Sequence, residues 1–318
     1  MAYRMNWAES GIAMLGPTES GKSTFLCALK KALLEQDEDW MLFTRDAASQ
    51  RVLEEMSSAL VSEGDFPLPT SAVNTIRWIL GGTIERTERT GRRFNPVTTV
   101  KDRVEITLRL TDAPGGLGRA DRVGLNERNE LIKQLADSRG ILYMFDPIRE
   151  FTHGDAFQRT DSLLTELMGV VSQESDFNGK LPHHLAVCVT KLDDPRVFQT
   201  AHDLGMLIPD DTNRWGFPRV HETDARALFH ALGKISKSGD GEAVPKLFER
   251  HFHPKRISYY VTSAVGFMVN KRTRFFDPRD TENVYRTASG AALVRGPVHP
   301  INVVEPVLWI VRQLAPAT

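Results

Sequence analysis

Apolar residues fall into short, nearly unbroken runs along this chain, separated by longer stretches where they recur every three or four positions. The runs at 11–15, 104–110, 140–145, 185–189 and 257–261 predict β-strands. Several are continuous rather than alternating, as strands covered on both faces should be. The helical period predicts helices over 22–36, 47–62, 126–137, 156–173 and 303–314. In chain order these elements read β-α-α-β-α-β-α-β-β-α. That order predicts an α/β fold in three layers, with a mostly parallel sheet and helices on both faces.

Residues 1–318 read as one domain with two additions. The polar, basic stretch GTIERTERTGRRFNP predicts an exposed hairpin at about 82–101. The stretch at about 200–254 predicts an insertion between strands of the same domain, with a helix near 223–234. A small accessory subdomain is the alternative for it. A further polar segment with Gly and Pro, 275–299, precedes the last helix.

Charge narrows the partners. The formal net charge is −1, so no global basic field is available to hold nucleic acid or anionic lipid. The run with Arg86, Arg89, Arg92 and Arg93 lacks interleaved aromatics and reads as a solvated loop, which makes nucleic acid an unexpected partner. The two cysteines, Cys27 and Cys188, sit in apolar runs and read as small buried hydrophobes, as in a reducing cytoplasm. The N-terminal residues lack a signal-peptide pattern, and no apolar run approaches the roughly 18 residues of a transmembrane segment. A cytoplasmic location is expected. His183, His184, His251 and His253 have no Cys or further His at ligand spacing and read as surface or packing residues.

The strongest chemical signal is Gly16-Pro-Thr18-Glu19-Ser20-Gly21-Lys22-Ser23, a full match to G-x-x-x-x-G-K-[ST] between a predicted strand and a predicted helix. Glycines let the backbone curl so that its N–H groups converge on phosphate oxygens, and the helix N-terminus adds partial positive charge. Lys22 can reach the β- and γ-phosphates, and Ser23 can supply a hydroxyl to Mg²⁺. Thr24 continues the first helical turn. The loop alone does not name the base, and an ATP-binding protein is one alternative.

Three weaker motifs follow in order. Asp112-Ala-Pro-Gly115 ends a predicted strand; Asp112 suits a Mg²⁺-bound water and the Gly115 N–H suits the γ-phosphate. Thr190-Lys191-Leu-Asp193 ends another; its aspartate can accept from guanine N1–H and the 2-amino group, and Lys191 can lay its methylene stem over the base. Ser263-Ala264 follows the strand at 257–261, where a backbone N–H can meet guanine O6.

These four motifs in this order resemble the translation-factor-related (TRAFAC) class of P-loop GTPases. The resemblance covers residues 16 to 264. The layout is also similar to bacterial double-GTPase proteins of conflict or defence systems. Dynamin-like GTPases likewise carry Thr where the fourth motif usually has Asn. The resemblance implies a P-loop NTPase fold, GTP or GDP as ligand with Mg²⁺, and hydrolysis as a molecular switch with a protein partner or a second copy at the switch segments. It implies catalytic roles for Lys22, Thr70 and Gly115, and metal contacts from Ser23, Thr70 and Asp112. Thr70 is the first choice for the switch threonine; Thr98 and Thr99 are rivals.

One departure bears on turnover. Many small GTPases place Gln after the third-motif Gly, where it positions the attacking water. Here that position is Gly116. Hydrolysis is therefore expected to be slow or partner-dependent, or absent in a nucleotide-dependent interaction module. Arg119, Arg122 and Arg128 are candidate arginine fingers, with surface charge the competing reading; Glu127 and Glu130 are further candidates to orient water. Thr18 and Glu19 replace the small residues often found in such loops and would crowd the phosphate pocket.

Overall fold

Successive residues of the apolar runs point into two different cores, which is why the runs lack a polar face. The computed structural model describes residues 11–17, 20–36, 39–67, 76–89, 97–110, 122–175, 177–210 and 213–314.

Strand β1 (Gly11–Leu15) leads through the Gly-rich turn into α1 (Lys22–Glu35), followed by the short strand β2 (Met41–Phe43). Helix α2 (Ala47–Ser58) starts at Asp46, whose carboxylate accepts the Ser49 N–H, as N-cap aspartates do. It widens into a π-helical turn (Ala59–Glu63), closed by Gly64 in the left-handed region at φ 75°. The expected α-helix over 47–62 is thus α-helical only to Ser58. β3 (Ile76–Arg89) and β4 (Val97–Leu110) then pair antiparallel from Ile76–Leu110 to Arg89–Val97. The expected polar hairpin is the distal part of this longer ribbon.

α3 (Arg122–Ala136) precedes β5 (Ser138–Phe145), α4 (Pro147–Thr152), α5 (Ala156–Val171) and β6 (His184–Val189). Between β6 and the next strand of the sheet come α6 (Pro195–Asp203), the hairpin of β7 (Leu207–Pro209) and β8 (Pro218–Val220), α7 (Glu222–Lys234) and α8 (Val244–His251). β9 (Ile257–Val261) is followed by the hairpin of β10 (Val284–Arg286) and β11 (Ala292–Val294) and by α9 (Glu305–Leu314).

Seven strands form one sheet in the order β2-β3-β4-β1-β5-β6-β9. β4, β1, β5, β6 and β9 are parallel; β3 runs against its neighbours β2 and β4. On one face Ile12, Met14, Leu142, Met144 and Cys188 pack under α1 and α9. On the other, Ala13, Leu15, Tyr143, Phe145 and Val187 pack under α5, α7 and α8. This is a three-layer α/β arrangement, with helices on both faces of a mostly parallel sheet. α9 lies so close to β5 that a Cβ on Gly140 would sit 2.3 Å from Ile310 Cγ2. Among the described residues no helix is long and apolar enough to cross a membrane.

The chain between β9 and α9 folds over α1 and the end of α2. Cys27, Leu60, Val265, Val294 and Val298 form a small third core there. The Val294 N–H donates to Gly64 O at 2.8 Å. Buried Asn283 ties the excursion together: its Nδ2 donates to Val265 O at 3.1 Å and Pro297 O at 3.2 Å, and its Oδ1 accepts the Gly296 N–H.

Candidate functional site

The carboxyl ends of β1, β5, β6 and β9 share one edge of the sheet, where open α/β sheets carry their ligands. The register aligns them: Leu15 faces Tyr143, Phe145 faces Val189, and Val189 faces Val261. All four predicted motifs follow strands that end at this edge.

At β1 the Gly-rich turn closes tightly. A Cβ on Gly16 would lie 2.7 Å from Ser20 Oγ and 2.9 Å from Met144 O, so only glycine fits. Gly21, at φ 88°, provides the left-handed step into α1. The Lys22 side chain is folded back over the turn, its Nζ 2.9 Å from Gly16 O and 2.8 Å from Pro17 O. Ser23 and Thr24 lie in the first turn of α1, where amides have no intrahelical acceptor. Ser20 is fully buried, and its Oγ has no hydrogen-bond partner among the described residues. A buried hydroxyl without a partner, beside first-turn amides and an ammonium group, has the donor set for an oxyanion. Among the described residues no group of three or more His, Cys, Asp or Glu is placed to hold a metal ion. Ser23 supplies a hydroxyl at the helix start, and Asp112 lies outside the described residues.

Two strands along, about 10 Å from β1 at ordinary strand spacing, stands the turn after β6, which interlocks with the turn after β9 one strand further on. The Thr190 N–H and Oγ1 both donate to Phe145 O at 2.9 Å. Thr190 thus binds the end of β5. Lys191 stands in the left-handed region at φ 62°, a conformation that costs a non-glycine residue about 1–3 kcal/mol. Its Nζ reaches Asp146 Oδ2 at 2.6 Å. The Leu192 N–H donates to Thr262 O at 3.1 Å, joining the two turns. Asp193 is buried, and its Oδ1 accepts the Ser263 hydroxyl at 2.5 Å. Ser263 Oγ in turn accepts the Gly266 N–H at 2.8 Å. Burial pushes the Asp193 carboxyl up to about 6, against the Ser263 hydroxyl, which pulls it down. Ala264 follows, packed against the α1 and α9 core. A carboxylate poised near neutrality, fixed by one hydroxyl at the mouth of a strand turn, is suited to receive a pair of N–H donors.

The remaining candidates separate. Thr18, Glu19, Thr70, Asp112, Gly115, Gly116 and Arg119 lie outside the described residues. Thr98 and Thr99 pair with Glu88 and Thr87 at the far end of the ribbon. Thr99 is eleven residues from Leu110, about 35 Å at the usual strand rise, so neither rival of Thr70 reaches the edge that holds Ser23. Ile76, by contrast, pairs with Leu110, which pairs with Met14, so β3 begins at that edge. Arg128 lies on α3 and grips Glu166 of α5 through Nε and one terminal nitrogen, with Ser162 Oγ at 2.6 Å. It is committed to packing two helices together. Glu130 accepts from Gln134 on its own helix. His183 is buried and donates through Nε2 to Leu135 O; burial lowers it to about 4. His251 bonds Leu247 O, and His253 caps the turn after α8.

Two groups escaped the motif reading. Asp146 belongs to no motif, although Asp followed by Pro is a helix-start signal, and it caps α4 through the Ile148 and Arg149 N–H groups. The Ser263 hydroxyl was expected to matter only through its backbone.

No protein-family model matches this chain, and no curated protein matches it in sequence. Among solved structures it is similar to the GTP-bound Saccharomyces cerevisiae Ski7 GTPase-like domain, with TM-score 0.39 and 14% identity over 98% of this chain and 51% of that one. It is similar to the signal recognition particle receptor SRb-GTP/SRX complex from Chaetomium thermophilum, with TM-score 0.36 and 12% identity over 84% and 96%. It is also similar to Era in complex with MgGDPNP and a segment of 16S ribosomal RNA, with TM-score 0.31 and 12% identity over 81% and 52%. The chain spans about half the length of the Ski7 chain.

Proposed function

We propose that this chain binds GTP or GDP with Mg²⁺ across the carboxyl edge of its sheet and hydrolyses GTP slowly, as a molecular switch. The single observation that carries the reading is the pairing of two half-sites on one edge. A glycine-restricted turn with Lys22 and a Ser20 hydroxyl unpartnered among the described residues stands about 10 Å from a buried carboxylate fixed by Ser263. In this reading the phosphates lie against Gly16, Ser20, Gly21, Lys22, Ser23 and Thr24, together with Thr18 and Glu19. The base lies against Thr190, Lys191, Asp193, Ser263 and Ala264. Asp193 accepts the two N–H donors that guanine has and adenine lacks.

Ser23 would hold Mg²⁺ with Asp112 and Thr70, and the bound ion would supply positive charge to the β- and γ-phosphates. Lys22 moves from the loop carbonyls to the phosphates and stabilises the charge that develops as water attacks. Gly115 donates its N–H to the γ-phosphate, and loss of that bond on hydrolysis releases the segment after it. Thr70 stands six residues before Ile76, where β3 begins at this edge, which supports Thr70 over Thr98 and Thr99 as the switch threonine. The whole chain acts as one domain, and a protein partner or second copy meets the switch segments. Two free, buried cysteines are in keeping with a cytoplasmic setting.

Gly116, where a water-positioning Gln often stands, favours a second reading: a nucleotide-dependent interaction module without turnover. Single-turnover hydrolysis of GTP by the purified chain separates the two. A rate above that of free GTP in buffer, lost in Lys22→Ala together with binding, is the expected result. A rate equal to free GTP leaves only the module, and unchanged GTP affinity in Lys22→Ala removes the phosphate site.

A further inference from the structure

We propose that Asp146 is a positioning residue for the base side of the site, holding Lys191 so that its methylene stem is already laid out for a purine. This rests on the functional reading above. Asp146 follows the last residue of β5 and is buried, and its two oxygens do different work. Oδ1 accepts the Ile148 N–H at 3.0 Å and the Arg149 N–H at 3.2 Å, which starts α4. Oδ2 accepts Lys191 Nζ at 2.6 Å. The lysine side chain is 36% exposed while the aspartate side chain is 2% exposed, so the lysine is anchored at its tip by a buried partner and remains partly open to solvent.

The backbone agrees with this assignment. Lys191 is one of only three non-glycine residues with positive φ among the described residues. The Asp194 N–H donates to Lys191 O at 2.9 Å and closes the turn. The two Thr190 bonds to Phe145 O fix the distance between the ends of β5 and β6 immediately before the pair. Arg196, the nearby cation, pairs with Asp194 at 3.0 Å and acts on Asp146 only through its field, so the direct side-chain partner of Asp146 Oδ2 is Lys191. A lysine left to wander would have to be ordered when the base arrives. Clamped beforehand, it spares the complex that ordering, which corresponds to about a tenfold change in affinity for one long side chain.

Asp146→Asn tests this cleanly, because Asn keeps Oδ1 as the helix cap and replaces the acceptor facing Lys191 with an amide donor. Equilibrium titrations of GTP and of inorganic triphosphate are compared in the wild type, Asp146→Asn, Lys191→Met and the double variant, with thermal melting of each. The expected result is GTP binding weakened by about tenfold in Asp146→Asn, triphosphate binding unchanged, and no further loss when Asp146→Asn is added to Lys191→Met. Equal GTP affinity in Asp146→Asn and wild type overturns the assignment and leaves the functional reading standing. So does a loss that strikes triphosphate equally, or one that adds fully to Lys191→Met, since either marks a general structural role. Wild-type protein that binds triphosphate but no guanine nucleotide overturns the functional reading and this assignment with it.

Discussion

Asp193 should make the nucleotide-free protein less stable than it could be, and the size of that effect follows from its surroundings. Its carboxyl lies at about 6 in the folded chain against an ordinary value of 3.8, with burial as the main cause. A raised folded value means that the folded state holds the proton more tightly. The stability this contributes is complete below pH 3.8 and is lost as pH rises through about 6. At pH 7.5 the buried charge therefore costs about 3 kcal/mol, and at pH 4.5 only about 1 kcal/mol. Asp193→Asn removes the charge and keeps an oxygen to accept the Ser263 hydroxyl. It should stabilise the empty protein by up to about 3 kcal/mol at pH 7.5 and by about a third of that at pH 4.5. Urea denaturation of both proteins, stripped of nucleotide, at the two pH values measures the difference. A variant no more stable than wild type at pH 7.5, or a gain that does not shrink at pH 4.5, refutes the reasoning. The same titration should weaken guanine binding by the wild type about tenfold between pH 7.5 and pH 5, because the proton must leave before guanine can be read.

Three further outcomes are expected. Gly16→Ala should abolish nucleotide binding while the chain still folds, because its Cβ would strike Ser20 Oγ and Met144 O at under 3 Å; titration with GTP checks it, and retained affinity contradicts the close-packed turn. Arg128→Ala should leave single-turnover hydrolysis unchanged and cost no more than about 1 kcal/mol of stability, as a partly exposed ion pair does; a fall in rate of a thousandfold would instead mark an arginine finger. Gly140→Ala should destabilise the fold by about 1–3 kcal/mol by pushing Ile310 and α9 off the sheet; chemical denaturation reads it, and an unchanged midpoint would deny the close approach.

The parts of the fold legible in the sequence are those where burial on both faces forces continuous apolar runs. β1 and β9 coincide with their predicted spans, and β5 and β6 begin only one or two residues early. β3 was hidden because its apolar half carries Gly81 and Gly82 where side chains would mark a strand. Tryptophan and phenylalanine rings from elsewhere fill that space: a Cβ on Gly82 would lie 2.3 Å from Trp40, and one on Gly81 2.9 Å from Phe43. The excursion after β9 has no periodicity to read, since it is held by side-chain bonds such as those of Asn283 rather than by a repeating face. In the candidate site, the glycine-rich turn was legible because its close packing requires glycine at fixed positions, as at Gly16. The clamp on Lys191 was not, because Asp146 lies 45 residues away in the chain and meets it only when β5 and β6 pair.

The central claim is that a fixed aspartate on the sheet edge reads guanine for a triphosphate held by the glycine turn. Competition of GTP, ATP and XTP for wild type and Asp193→Asn, in Mg²⁺ at pH 7.5, tests it most directly. The account predicts that wild type takes GTP and is not displaced by excess ATP, and that Asp193→Asn loses GTP and gains XTP. Equal affinity of wild type for GTP and ATP, or a variant that still prefers GTP, would contradict it.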